Sequence, residues 1–156
     1  MPDSLYDIDF HAWTREQAAK LRRLAAARSN VDLDLEHLAE EVEDLGNEQR
    51  HKVESFLENV IEHLLKLEHS PADQPRGVWR RDAFKARAEL LRRLTASLRN
   101  HLAATLPQRY RLARRTALLG LEQDRVDPAS LPQECPYSLE QLLDPDWHPG
   151  SRHGLE

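Results

Sequence analysis

The side chains best spaced for chemistry are carboxylates. Glu36, Glu40, Glu43 and Asp44 recur at three- and four-residue steps, which makes them neighbours on one face of a helix. Hard carboxylate oxygens gathered there suit a divalent cation. His63 follows in the same helical pattern, at the edge of its apolar stripe. A metal site would draw on Glu40, Glu43, Asp44 and His63, provided the histidine met carboxylates across a helix pair as in bundle metal centres. Glu48 and His51 form one Glu-x-x-His pair, whereas di-iron bundles use two, and Glu16 and Glu62 have no histidine three residues on. His51 falls well off the apolar stripe and His63 beside it, so the two do not converge. A solvated acidic face plus a hydrogen-bonded interface histidine is therefore the stronger expectation.

The second constellation is basic. Residues 76–115 carry twelve Lys or Arg against Asp82 and Glu89, whereas residues 32–68 carry twelve acids against Arg50, Lys52 and Lys66. Arg81, Lys85, Arg92 and Arg99 fall on one helical stripe outside the apolar face, an arrangement able to neutralise phosphates of a nucleic acid. No aromatic side chains interleave with it to stack on bases. Pairing of the acidic with the basic segment, within the chain or between two copies, is the favoured reading. The expected partner is thus the chain itself or another protein, ahead of nucleic acid.

Signatures of common enzymes are missing: no Gly-rich phosphate loop, no Gly-x-Ser-x-Gly, no His-Glu-x-x-His, and a single cysteine. Cys135 stands between Glu134 and Pro136, where negative charge opposes thiolate formation. It reads as a small residue pinning the tail. Trp13, Trp79 and Trp147 are expected as core anchors. No cofactor class is implied.

Helices must position all of these groups. Phe10, Trp13, Gln17, Leu21 and Leu24 predict a helix from about residue 9 to 28, with Asp7 and Asp9 at its electropositive end. Ser29 and Asn30 interrupt it, and Asp32 or Asp34 can cap the next helix. There Leu35, Leu38, Val42, Leu45, Gln49, Val53, Phe56, Val60, Leu64 and Leu67 keep phase across Gly46, predicting one helix over 33–68, with a C-cap at Gly46-Asn47 as the alternative. Gly46 sits on the stripe itself, which points to another helix approaching too closely for a side chain. After the loop 70–75, with its two prolines, a helix is predicted over 76–95. Ser97 and Asn100 mark a break. The following helix is expected to be interrupted near Pro107, with Thr105 capping a segment that starts at Leu106. From Gln123 onward Asp127-Pro128, Leu131-Pro132, Cys135-Pro136 and Asp144-Pro145 predict an extended tail, with one or two helical turns over 139–143 behind a Ser138/Gln141 capping box.

The expected architecture is an all-α helical bundle with one long central helix and a proline-punctuated C-terminal tail. It forms a single domain over 1–150, with 151–156 a disordered end or vector scar. The longest apolar runs are far short of the roughly 20 residues that span a bilayer, and no basic or apolar leader opens the chain. A cytoplasmic protein with no membrane span is expected, and a homodimer through the long helix would use surface that shorter partners leave uncovered.

Three stretches together resemble a known family: Leu5-Tyr6-Asp7-Ile8-Asp9-Phe10-His11-Ala12-Trp13-Thr14; Leu35 through Glu40-Glu41-Val42-Glu43-Asp44-Leu45-Gly46 to His63-Leu64-Leu65-Lys66; and Glu134-Cys135-Pro136-Tyr137-Ser138-Leu139-Glu140-Gln141. The chain is similar, from about Ser4 to Trp147, to a bacterial family common in cyanobacteria and proteobacteria and catalogued as domain of unknown function twenty-nine. The resemblance implies a compact all-helical fold and carries over no catalytic residue. Leu67 departs from it, standing where a tryptophan commonly follows the lysine.

Overall fold

The computed structural model describes residues 3–28 and 30–156; Met1, Pro2 and Ser29 lie outside the described residues. The helices are α1 Leu5–Ile8, α2 Phe10–Ala26, α3 Leu35–His69, α4 Arg76–Arg93, α5 Ala96–Leu121 and α6 Leu139–Leu143, with a 3₁₀ turn at Pro128–Ser130. No strand occurs among the described residues. The all-α expectation with a long central helix and an irregular tail holds. α3 is continuous through Gly46, and it is Asp34 that caps its start, Oδ1 accepting from the His37 amide at 3.3 Å.

The chain divides into two compact units, residues 1–53 with 94–101 and residues 54–93 with 102–156. In the first, the Asp9 carboxylate serves two helix starts at once. Its Oδ1 accepts from the Ala12 amide at 3.0 Å and from the Ser97 hydroxyl at 2.7 Å, while Oδ2 accepts from the Ser97 amide at 2.8 Å. The first amides of a helix have no intrahelical partner and carry partial positive charge, so one buried carboxylate ties α2 to the start of α5. Burial alone would raise its pKa, but these hydrogen bonds outweigh it and hold Asp9 below the ordinary carboxylate value. Ser97 spends its hydroxyl proton on Asp9, so His11, 2.9 Å away, donates to Ser97 Oγ through Nδ1–H.

The same unit sets the phase of α3. A Cβ at Gly46 would lie 2.1 Å from Thr14 Oγ1 and 3.1 Å from its Cβ, and Thr14 is buried with its hydroxyl donating to the His11 carbonyl at 2.7 Å. The two backbones meet where neither helix offers bulk. The buried line of α3 here runs through Leu35, Ala39, Gly46 and Val53. Leu38 and Leu45, expected in the core, are instead 40% and 48% exposed. Leu24 on α2 is likewise exposed. Close approach of small residues rotates the larger ones off the contact.

In the second unit Leu57, Val60, Ile61, Leu64, Leu65 and Leu67 of α3 are buried, followed by the polar Glu68 and His69 at its end. Leu102, Tyr110, Ala113, Ala117 and Leu121 of α5 are buried. The predicted interruption of α5 is absent: the helix runs through Pro107. A proline forfeits one backbone hydrogen bond, and buried side chains on either side of it hold the helix together. The break before α5 also falls earlier, at 94–95, because Thr95 acts as the cap, accepting from the Leu98 amide at 3.4 Å. The capping box at Ser138 and Gln141 forms as expected. All three tryptophans are half-buried rather than core; Trp13 packs against Tyr6 and Phe10, and Trp147 against Tyr137.

Gly46→Ala is expected to destabilise the protein despite alanine's better helix propensity, worth about 1 kcal/mol, because overpacking at such a contact costs about 1–3 kcal/mol. In urea titrations, Thr14→Ala should cost less in the Gly46→Ala background than in the parent, giving a coupling of about 1 kcal/mol. Additive effects would mean the two residues do not meet.

Candidate functional site

The acidic set of α3 faces solvent, with Glu36, Glu40 and Asp44 exposed. Its counter-ion is an arginine: Arg22 donates to Glu43 Oε2 at 2.5 Å, and this hydrogen bond pulls the Glu43 pKa down. Arg22 also lines, with Glu36 and Glu40, a cavity of about 340 Å³. His63 belongs to the second unit and finds other carboxylates. Its Nδ1–H donates to the Asn59 carbonyl at 2.6 Å, leaving Nε2 3.6 Å from Asp82 and 3.9 Å from Glu62. Glu62 is already engaged by Lys66 at 2.9 Å. Among the described residues no group of three or more His, Cys, Asp or Glu side chains is disposed to hold a metal ion.

The basic residues separate into two populations. Arg81, Lys85 and Arg92 are exposed on α4; Arg81 lies 3.8 Å from Asp82, and Arg92 bonds Glu89. Arg99 is also exposed but falls in the first unit. Other arginines turn inward and bind backbone carbonyls, which is where sequence reading missed their role. Arg87, almost fully buried, donates to the carbonyls of Leu142, Trp147 and Gln141 at 2.8, 3.0 and 3.4 Å. Arg114 donates to those of Pro132, Pro128 and Leu131, and Tyr110 OH joins it on Pro132 at 2.5 Å. An extended tail has carbonyls that no helix satisfies, and planar guanidinium groups supply several donors at once. The available signal was Arg87 itself, spaced with Ala83, Ala86 and Leu90 on the inner side of α4.

Glu68 is the other residue that the motifs did not single out. Buried at the end of α3, it accepts from Tyr137 OH at 2.9 Å and from Arg152 Nε at 2.8 Å. Burial, with the Glu68 charge beside it, drives the Tyr137 phenol far above its ordinary pKa. His69 Nε2 lies 3.3 Å from Glu68 but out of line, and this buried atom has no hydrogen-bond partner. Residues 151–156, expected to be a disordered end or vector scar, make defined contacts: the Arg152 amide donates to the Glu68 carbonyl at 2.8 Å, and His153 Nε2–H to that of His69 at 2.8 Å.

A cleft of about 630 Å³ lies between α5 and the tail, lined by Leu106, Pro107, Tyr110, Arg111, Glu134 and Cys135 among others. The Cys135 thiol donates to the Tyr137 carbonyl at 3.3 Å, and burial raises its pKa. It is burial, rather than the charge of Glu134, that favours the neutral thiol. Burial likewise pushes Tyr110 up to about 12.

The model of the family described as Domain of unknown function DUF29 matches residues 5–148. The chain belongs to the DUF29 family. A solved α-helical protein of unknown function from Rhodospirillum rubrum shares its fold, with 28% identity, a TM-score of 0.81, and coverage of 93% of this chain and 92% of that one. No curated protein matches the chain. In this DUF29 member the matched span takes in Asp9, Gly46, Glu68, Arg87 and Tyr137, the polar and close-packed positions described above. No helix among the described residues is long and apolar enough to cross a membrane.

Burial lowers the pKa of both His11 and His69, opposed at His69 by Glu68. Each histidine is thus neutral when folded at pH values where the unfolded chain, titrating near 6.5, already binds a proton. Stability is expected to be full above that value and to fall as pH drops below about 6.5, by up to about 1.4 kcal/mol per pH unit for each histidine. Urea midpoints between pH 8 and 5 test this; His69→Gln should reduce the slope, and an unchanged midpoint down to pH 5 would contradict it.

Proposed function

We propose that this chain is a noncatalytic helical protein-interaction module, presenting the first half of α3 to another polypeptide. The observation that supports the reading is the imbalance of the first unit. Its buried apolar side chains are Ala18, Leu35, Ala39, Val53 and Leu98, while Tyr6, Ile8, Leu24, Val31, Leu33, Leu38 and Leu45 stand exposed. Small isolated proteins rarely leave extended apolar surface uncovered, and such surface marks sites of association. The groups that would interest an enzymologist have structural occupations: Asp9 caps helices, His11 bonds Ser97, and Glu68, Arg87 and Tyr137 hold the tail.

Leu38 and Leu45 lie seven residues apart, one above the other on α3, with Val42 and Gln49 between that row and the core. Glu41 and Glu48 flank it on the outer side, both exposed. An apolar row with a charged rim on one edge is the pattern of a helix that accepts a second helix.

A photoreactive phenylalanine placed at Leu45 should, on illumination of the cells that make the protein, yield discrete adducts to one protein species. The same group at Glu16, an exposed α2 position paired with Lys20, should not. Absence of any adduct from position 45 would contradict the reading.

A further inference from the structure

We infer that the occupant of the α3 row is a second copy of the same chain, received on the exposed face of α4. The inference rests on the interaction reading above and names its partner. Phe84 and Leu91 of α4 are 61% and 39% exposed, seven residues apart, with Ala88 between them. Leu38 and Leu45 have that same spacing, about 10 Å along a helix axis. The two rows are therefore commensurate.

Their rims are of opposite charge. Arg81, Lys85 and Arg92 border the α4 row on one side and Arg80 on the other, all exposed, with Arg92 also bonded to Glu89; Glu41 and Glu48 border the α3 row, Glu48 also paired with Lys52 at 3.3 Å. Helical geometry goes further and selects an orientation. At about 100° per residue, Glu41 and Glu48 lie behind Leu45 in the sense of rotation, while Lys85 and Arg92 lie ahead of Phe84 and Leu91. Two facing helices bring those flanks to the same side only when they run parallel. With Leu38 beside Phe84 and Leu45 beside Leu91, Glu41 then comes level with a point two residues beyond Lys85, and Glu48 with a point two beyond Arg92. Each pair is offset by about 3 Å, the 1.5 Å rise taken twice. Phe84 also borders a cavity of about 150 Å³ lined by Leu64, Leu67, Pro145 and Trp147, a recess beside the row for an incoming leucine. Leu112 and Leu119 on α5 repeat the seven-residue spacing, but their basic rim is Arg111 and Arg115 alone.

The full chain, followed by light scattering and sedimentation, is expected to self-associate. Phe84→Ser and Leu45→Ser should each weaken association at least tenfold, as truncation of central apolar anchors does, with helicity and unfolding midpoint retained because both side chains are exposed. Leu119→Ser should leave association unchanged. Glu41→Lys and Lys85→Glu should each weaken it about threefold to tenfold, and the two in one chain should restore it, since opposite charges across an interface set register and like charges oppose it. A chain that stays monomeric while position 45 crosslinks to a different protein overturns this inference and leaves the interaction reading standing. Monomeric chain with no adduct at position 45 overturns both. Binding of duplex DNA or single-stranded RNA at low salt, lost in Lys85→Glu, by a chain that does not self-associate would assign the α4 face to phosphate instead.

Discussion

The close contact of Gly46 with Thr14 governs what the first unit can bury. Two helix backbones that meet at a glycine and a threonine bring small residues to the centre of the contact, so Ala39 and Val53 line up with Gly46 on the buried side of α3. Among the larger side chains on that half of the helix, Leu35 is buried while Leu38 and Leu45 lie outside. The exposure of Leu38 and Leu45 follows from this phase, and with it the apolar row on which the interaction reading is built. Asp9 acts in the same sense, joining the starts of α2 and α5 through one buried carboxylate. The unit is closed by backbone proximity and capping more than by apolar volume.

The second unit solves a different problem. Its core is ample, but its tail is extended and leaves carbonyl groups without helical partners. Arg87 and Arg114 meet that need with several donors each, and Glu68 holds Tyr137 and Arg152 at the end of α3. Removing any of these would strand buried polar groups, which is costly out of water. The strongly shifted phenol of Tyr137 and the unpartnered His69 Nε2 are consequences of that packing. Arg87 and Arg114 are therefore architectural, while Arg80, Arg81, Lys85 and Arg92 stand exposed on α4.

Much of this was legible in the sequence. Apolar periodicity through Gly46 carried the continuity of α3, and Ser138 with Gln141 carried the start of α6. The glycine on the stripe correctly indicated a close helix. What periodicity could not supply was phase: a stripe spanning Leu35, Leu38, Val42 and Leu45 is wider than one contact, and only the Thr14 contact decides which edge is buried. The continuity of α5 through Pro107 is not legible, because the local backbone cost of a proline says nothing of the flanking side chains that hold the helix together. The tail contacts were invisible because an arginine that binds carbonyls looks, in sequence, like an arginine that binds phosphate. The sequence does not place His63 with Glu40, Glu43 and Asp44, and in the structure Glu43 meets Arg22 while His63 lies near Asp82.

The most direct measurement is hydroxyl-radical footprinting of the full chain at dilute and at high concentration, read residue by residue. Leu38, Leu45, Phe84 and Leu91 should lose reactivity together as concentration rises, while Leu119, 71% exposed on α5, stays as reactive as before. Reactivity at the four positions that does not change with concentration, or protection that appears at Leu119 instead, would contradict the pairing of the α3 row with the α4 face.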